Sequence, residues 1–334
     1  MALSSGRPSS IDDENMSAQI PTVVPLNSTI QLESLSISHR HAKLHSQISR
    51  QLLSFKSLSM STAELITAIT HYHTQLKGLL EEIPAEFKIG TLARPLHSTR
   101  RLIQILYLHF AIYGSLMAVH AHFFYPWMTS RLANGGHNAT LEAQIFSSSS
   151  IVADAARKII LALRLVNANV TTPSWLVFSY PIHAVINLFL YLLKYPTLPT
   201  ATPDLGLLDV CAGHFGYIEY LTSSWVSVSL PRDAANIASR VVRAAKAKQS
   251  KSASVEASKH DEHQSGFSHM QATDIGNIDF DNLEQELTLP NDVSKFLVLE
   301  LLPTARGLLT HSATRSTIPR ISTRRHGTFC LLLT

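Results

Sequence analysis

RRLIQILYLHFAIYGSLMAVHAHFFYPWM, Arg100 to Met128, is the stretch whose reading decides the fold. It is long enough for a helix of about eight turns at ~3.6 residues per turn, and apolar residues fall on nearly every side of the wheel. A helix of that kind has to be buried all round. At ~100° per residue, Gln104, Ser115 and His122 share one narrow stripe, while His109 and His120 share another about 140–160° away. The rest of the chain must therefore supply neighbours on all sides.

The 334 residues, 45% of them apolar, are enough to bury a sizeable core. A net charge of +4 and a pI near 9.0 suit an anionic partner without requiring one. Two cysteines, Cys211 and Cys330, exclude a disulfide framework and a four-cysteine zinc site, and point to a reducing compartment. The opening run MALSSGRPSSIDDENMS lacks the apolar core of a secretory signal and is too acidic for a transit peptide. The sequons at Asn27, Asn138 and Asn169 are accordingly expected to be unused. Leu102–Met128 and Leu176–Tyr195 are apolar, but the first carries Gln104, His109, His120 and His122, and the second holds Pro181 and ends at Lys194. They read as buried helices, with no membrane expected.

Residues 1–34 form a polar lead-in punctuated by Pro8, Pro21 and Pro25. Helical spacing then dominates residues 35–249. In Leu35–Lys56 the apolar face is Ile37, Leu44, Ile48, Leu52 and Phe55, and His41 and His45 are expected to be solvated because HAKLH lacks the glutamate of a metal-binding HExxH motif. Ser61 and Glu64 form a capping box, opening a helix to Ile83 whose buried face is Leu65, Ile69, Tyr72, Leu76, Leu79 and Ile83. Leu141–Asn167 buries Val152, Ala155, Ile159, Leu163 and Val166 and turns Asp154, Arg157 and Lys158 outward. A further helix runs from Pro203 to about Trp225, apolar at Leu208, Ala212, Phe215, Ile218 and Trp225, and Pro231 opens a last one to about Lys248.

Several runs resemble one known family. GRPSSIDDENMSAQIP, Gly6 to Pro21, is similar to a segment of the fungal-specific transcription factor domain, the regulatory region of zinc binuclear cluster transcription factors, through Gly6, Arg7, Pro8, Ile11, Asp12, Asp13 and Pro21. The pairs Ile83–Pro84 and Pro126–Trp127, the AARKII run at Ala155–Ile160, and Trp175, Tyr180 and Tyr195–Pro196 match in order and character. The resemblance spans roughly Gly6 to Ala245 and corresponds to the C-terminal half of that region. It implies an all-α regulatory domain acting in transcription in the nucleus, on a metabolic or biosynthetic gene set, without catalysis or cofactor. The family's six-cysteine cluster is missing, so this chain is not expected to read DNA directly. It would act through a protein partner, either a DNA-binding factor or the transcription machinery, or through a small-molecule effector. An effector pocket is expected between the two most apolar helices, at His109, Tyr113, His120 and Tyr180.

Residues 250–334 turn to Ser, Lys, His, Gln and acids and are expected to be mostly disordered. Within them, Asp274–Leu302 alternates acidic and apolar residues, the pattern either of a C-terminal helix docking on the chain's own core or of a segment that folds onto a coactivator, with a short helix expected near 293–302. Arg315, Arg320, Arg324 and Arg325 make the end basic. No glycine-rich phosphate loop, nucleophile elbow or metal-ligand cluster stands out, and the buried histidines and Cys211 read as core residues. Basic residues from Arg240 to Lys251 suit a helix end better than a base-reading surface. A helical enzyme with a histidine-based site and a polytopic membrane protein are the two alternatives.

Overall fold

Around Phe110 the central stretch is buried almost throughout. The structure, a computed structural model, describes residues 22–23, 32–89, 99–132, 139–168 and 172–260, all within one unit, Met1–Thr288. The Gly6–Pro21 run, the turn at 134–136, the acidic-apolar segment 274–302, the basic end and Cys330 lie outside the described residues.

Among the described residues every regular element is helical: α1 Leu32–Gln51, α2 Thr62–Glu82, α3 Thr99–Val119, α4 Ala121–Phe124, α5 Pro126–Leu132, α6 Ala139–Ala162, α7 Tyr180–Lys194, α8 Ala201–Leu221 and α9 Leu230–His260. An all-α architecture follows, as the periodicity predicts. Helix α3 lies between the α1–α2 pair and α6; α6 packs along α7, and α7 in turn carries α8 and α9. Among the described residues two stretches, Arg101–Val119 and Trp175–Lys194, are long and apolar enough to cross a membrane, but they are mostly buried inside the fold (67% and 72%), the pattern of core helices.

The capping box forms as read: the Glu64 N–H donates to Ser61 Oγ at 3.3 Å and the Ser61 N–H donates to the Glu64 carboxylate at 2.7 Å. All six predicted core residues of α2 are buried. Other boundaries differ. The expected single helix Arg100–Met128 breaks at His120 and again at Tyr125. Pro126 holds its predecessor extended, at φ −73° and ψ 132°, while His120 sits at φ −87° and ψ 2°, between regular conformations. Helix α1 stops at Gln51, and Phe55, in the following 3₁₀ turn, is exposed instead of buried. Helix α8 stops at Leu221, so Trp225 is not a core residue but is 92% exposed. Its end is closed by the Ser224 N–H donating to the Glu219 carbonyl at 2.8 Å, with Ser223 and Ser224 at positive φ. Helix α9 continues past Lys248 to His260.

Candidate functional site: a buried histidine and hydroxyl network

Among the described residues, seven histidines turn toward the interior and bond across elements. At the ends of helices carbonyls lack intrahelical donors, and three histidines supply one. The Leu52 carbonyl, past the end of α1, accepts from His122 Nε2 at 2.7 Å. The Phe87 carbonyl, in the short turn Ala85–Phe87, accepts from His109 Nε2 at 2.9 Å. The third case has a traceable cause. Pro181 has no N–H to give the Val177 carbonyl four residues earlier, the chain runs as a π turn over Trp175–Ser179, and His214 Nε2 from α8 donates to that carbonyl at 3.0 Å.

Two further groups are built from side chains alone. Ser115 Oγ on α3 lies 2.9 Å from His41 Nε2 and 2.9 Å from His45 Nδ1, both on α1. The expectation of solvated histidines fails here: His41 is four residues from Ile37 and three from Leu44, so it continues the apolar face inward. Just past the end of α3, His73 Nδ1 of α2 meets His120 Nε2 at 3.0 Å, His120 Nδ1 meets Ser148 Oγ of α6 at 3.0 Å, and Gln144 Nε2 donates to the same hydroxyl at 3.2 Å. Burial, reinforced by the neighbouring imidazole, pushes His41 down to about 4 and His120 to about 3. Burial also lowers His45, His73, His109, His122 and His214. The network is therefore neutral at physiological pH.

The four residues named for an effector pocket divide among neighbouring groups. His109 and Tyr113 stack, ring centroids 5.9 Å apart, with Lys158 over the Tyr113 ring. Burial, with the Asp154 carboxylate adding to it, pushes the Tyr113 phenol up to about 12. Tyr180 packs edge-on against Phe110 at 5.7 Å and lies over Gly114, where a Cβ would come within 3.1 Å of its ring. His120 belongs to the His73–Ser148 chain. Of the four, His109 has one buried atom without a hydrogen-bond partner, Nδ1; Ser46 Oγ and Ser54 Oγ, elsewhere among the described residues, are the same. Because Nε2 donates to Phe87, Nδ1 carries the lone pair, an unmet acceptor. A cavity of about 20 Å³ lined by Leu102, Leu106, Leu165, Val166, Thr172 and Leu176 has room for about one water, and none of the four residues lines it.

Two charged features escaped the spacing argument. Arg157, expected to face outward on α6, forks onto Asp204 of α8 at 2.7 and 2.8 Å, with Asp204 fully buried. Lys194, the last residue of α7, donates to Ser149 Oγ at 3.3 Å and lies over the Tyr195 ring; burial lowers its amine to about 8. Cys211 is buried, as expected, and its thiol is pushed up to about 12. Among the described residues no three His, Cys, Asp or Glu side chains come together as a metal set.

The chain is 29% identical over 224 residues to a protein of Aspergillus fumigatus named an ABC-transporter-regulating transcription factor; the match takes in 63% of this chain and 25% of that protein. A protein of the same name from Aspergillus oryzae is 27% identical over 227 residues, with the same coverage. The chain thus spans about a quarter of the length of the curated relatives it matches. No family model matches the chain, and no solved structure does. These likenesses support a transcription regulator and agree with the fungal resemblance drawn from the sequence.

Proposed function

We propose that this chain is a regulatory module of a fungal-type transcription regulator, of the kind found in the C-terminal half of the fungal-specific transcription factor domain. It acts in the nucleus through a bound partner or effector, without catalysis. The observation that carries this reading is the match of 63% of the chain to two proteins named as transcription factors. The buried network fits it: neutral histidines spent on carbonyls and hydroxyls of neighbouring helices join elements of the fold. The relatives' names make genes for ABC transporters the first targets to examine. Partners in this reading are a DNA-binding factor or the transcription machinery, and an effector would bring a donor N–H or O–H to His109 Nδ1 beside Tyr113.

The test is genetic and direct. Deleting the gene and, separately, overproducing the full chain with a fluorescent tag should shift transcript levels of a defined transporter or metabolic set in opposite directions, with the tag in the nucleus. A tag excluded from the nucleus together with an unchanged transcriptome would overturn the reading. A response that survives with His109→Gln but disappears on deletion would retain the regulator and remove the effector site.

A further inference from the structure

Helix α9 carries a line of cations that the fold does not answer. Arg232, Asn236, Arg240, Arg243 and Lys246 follow one another at four- and three-residue spacing, so they share one side of the helix, and all are exposed. The hydrogen bonds of this line go to neutral groups: Arg243 donates to Ser239 Oγ at 2.8 Å, and Lys246 Nζ donates to Thr202 Oγ1 of α8 at 2.6 Å. Among the described residues none of the four cations is in an ion pair, although Asp233 stands on α9 itself and Asp209 and Glu219 stand on α8. Like charges at this spacing destabilise a helix, and an anionic partner would remove that cost.

The bond from Lys246 to Thr202 sets this line beside α8. At ~100° per residue Thr202 shares its side of α8 with Tyr217 and Tyr220, which are 51% and 79% exposed. The α8–α9 surface is therefore cationic along one helix and aromatic along the other. Asp274–Leu287, DIGNIDFDNLEQEL, has the complementary chemistry: Asp274, Asp279, Asp281, Glu284 and Glu286 with neither lysine nor arginine, and Phe280, Leu283 and Leu287 at the spacing of one helical face. It also has the reach. Helix α9 ends at His260, and the intervening residues 261–273 span up to ~43 Å at ~3.3 Å each. At ~1.5 Å per residue, Lys246 lies ~21 Å and Arg232 ~42 Å back along α9.

We propose that the chain's own Asp274–Leu287 docks on this α8–α9 surface, its carboxylates on Arg232, Arg240, Arg243 and Lys246 and its apolar residues toward Tyr217 and Tyr220. The segment is tethered, so its local concentration at the cations is high and the contact holds in dilute solution. Its charge pairs are exposed, so salt weakens it. The docking is independent of the transcription reading.

Carbodiimide coupling, which joins a carboxylate to an amine in contact with it, reads this in the full chain. Peptide mass spectrometry should find Lys246 joined to Asp279, Asp281, Glu284 or Glu286 of the same copy, with a yield that falls at high salt. Arg240→Glu with Arg243→Glu changes exposed side chains only, so the chain should stay folded by circular dichroism and lose the link. Adding Asp281→Arg with Glu284→Arg should restore it through Asp279 and Glu286. A full chain without the link overturns the proposal, as does a link indifferent to the charge reversal, or one formed only between copies when isotope-labelled and unlabelled chains are mixed. Absence of the link together with salt-dependent binding to duplex DNA that the charge reversal abolishes would also overturn it, and would assign the line to phosphates.

Discussion

Arg157 on α6 and Asp204 on α8 form a two-pronged ion pair, with Nε and Nη2 of the guanidinium 2.7 and 2.8 Å from the two carboxylate oxygens. The Arg157 guanidinium also lies over the Tyr191 ring of α7, so one side chain joins three helices. Removing one partner leaves a buried charge uncompensated. Arg157→Ala, which strands the buried Asp204 carboxylate, should destabilise the fold by about 3–5 kcal/mol, whereas Arg157→Met with Asp204→Leu should recover much of that loss. Urea denaturation of the two single variants and the double variant measures the coupling; additive losses would mean that the pair does not hold the helices together.

The buried histidines set a pH dependence of definite sign. Unfolded, each titrates near ~6.5; folded, His41 is held at about 4 and His120 at about 3. Above pH ~6.5 both states are neutral and the stability is fully present. As pH falls from there toward 4 and 3 the unfolded chain takes up protons that the fold refuses, and stability declines, by an amount on the order of 3 kcal/mol or more per residue. His41→Gln and His120→Gln should each flatten the decline below pH 6 in melts followed by circular dichroism. A profile flat from pH 7 to 4 in the native chain would contradict the buried neutral network.

How much of this was readable from the chain alone depends on how local each cause is. The α2 face and its capping box were legible because spacing and the Ser61–Glu64 pair act within one turn or two. His41 was legible as well, at the right offsets from Ile37 and Leu44, but its residue type argued for solvent, and only Ser115, 74 positions away, explains its burial. The break near Tyr125 was written in Pro126, and the apolar run concealed it. Arg157 and Asp204 are 47 residues apart, and spacing within one helix cannot see such a pair. For the candidate pocket, His109 and Tyr113 share a helix at four-residue spacing and do stack, while Tyr180 and His120 depend on how separate helices meet.

Helix α8 ends on two serines, Ser223 at φ 50° and Ser224 at φ 63°. Side chains with a Cβ are strained in that region by ~1–2 kcal/mol, and glycine is not. Ser224→Gly should therefore raise stability by about 1 kcal/mol, since the Ser224 N–H bond to Glu219 uses only backbone. Ser224→Val should lower it. Equal melting temperatures for the two variants would show that the turn is not held in this conformation.

Lys194, half-buried, is a charge with little support. Its amine is held at about 8 by burial, against ~10.4 in an unfolded chain. At neutral pH it is charged in both states, so the fold carries the whole penalty, roughly 3 kcal/mol at most. Between pH 8 and about 10.4 the folded lysine gives up its proton first and stability rises with pH through that window. The Ser149 hydroxyl and the Tyr195 ring offset only part of the penalty. Lys194→Met keeps the length and apolar stem of the side chain, so the variant should melt higher than the native chain at pH 7 and lose the rise above pH 8. If it instead melts lower at pH 7, the ammonium contributes more through Ser149 and Tyr195 than burial takes away, and the lysine belongs with Arg157 among the charges that hold α6 and α7 together.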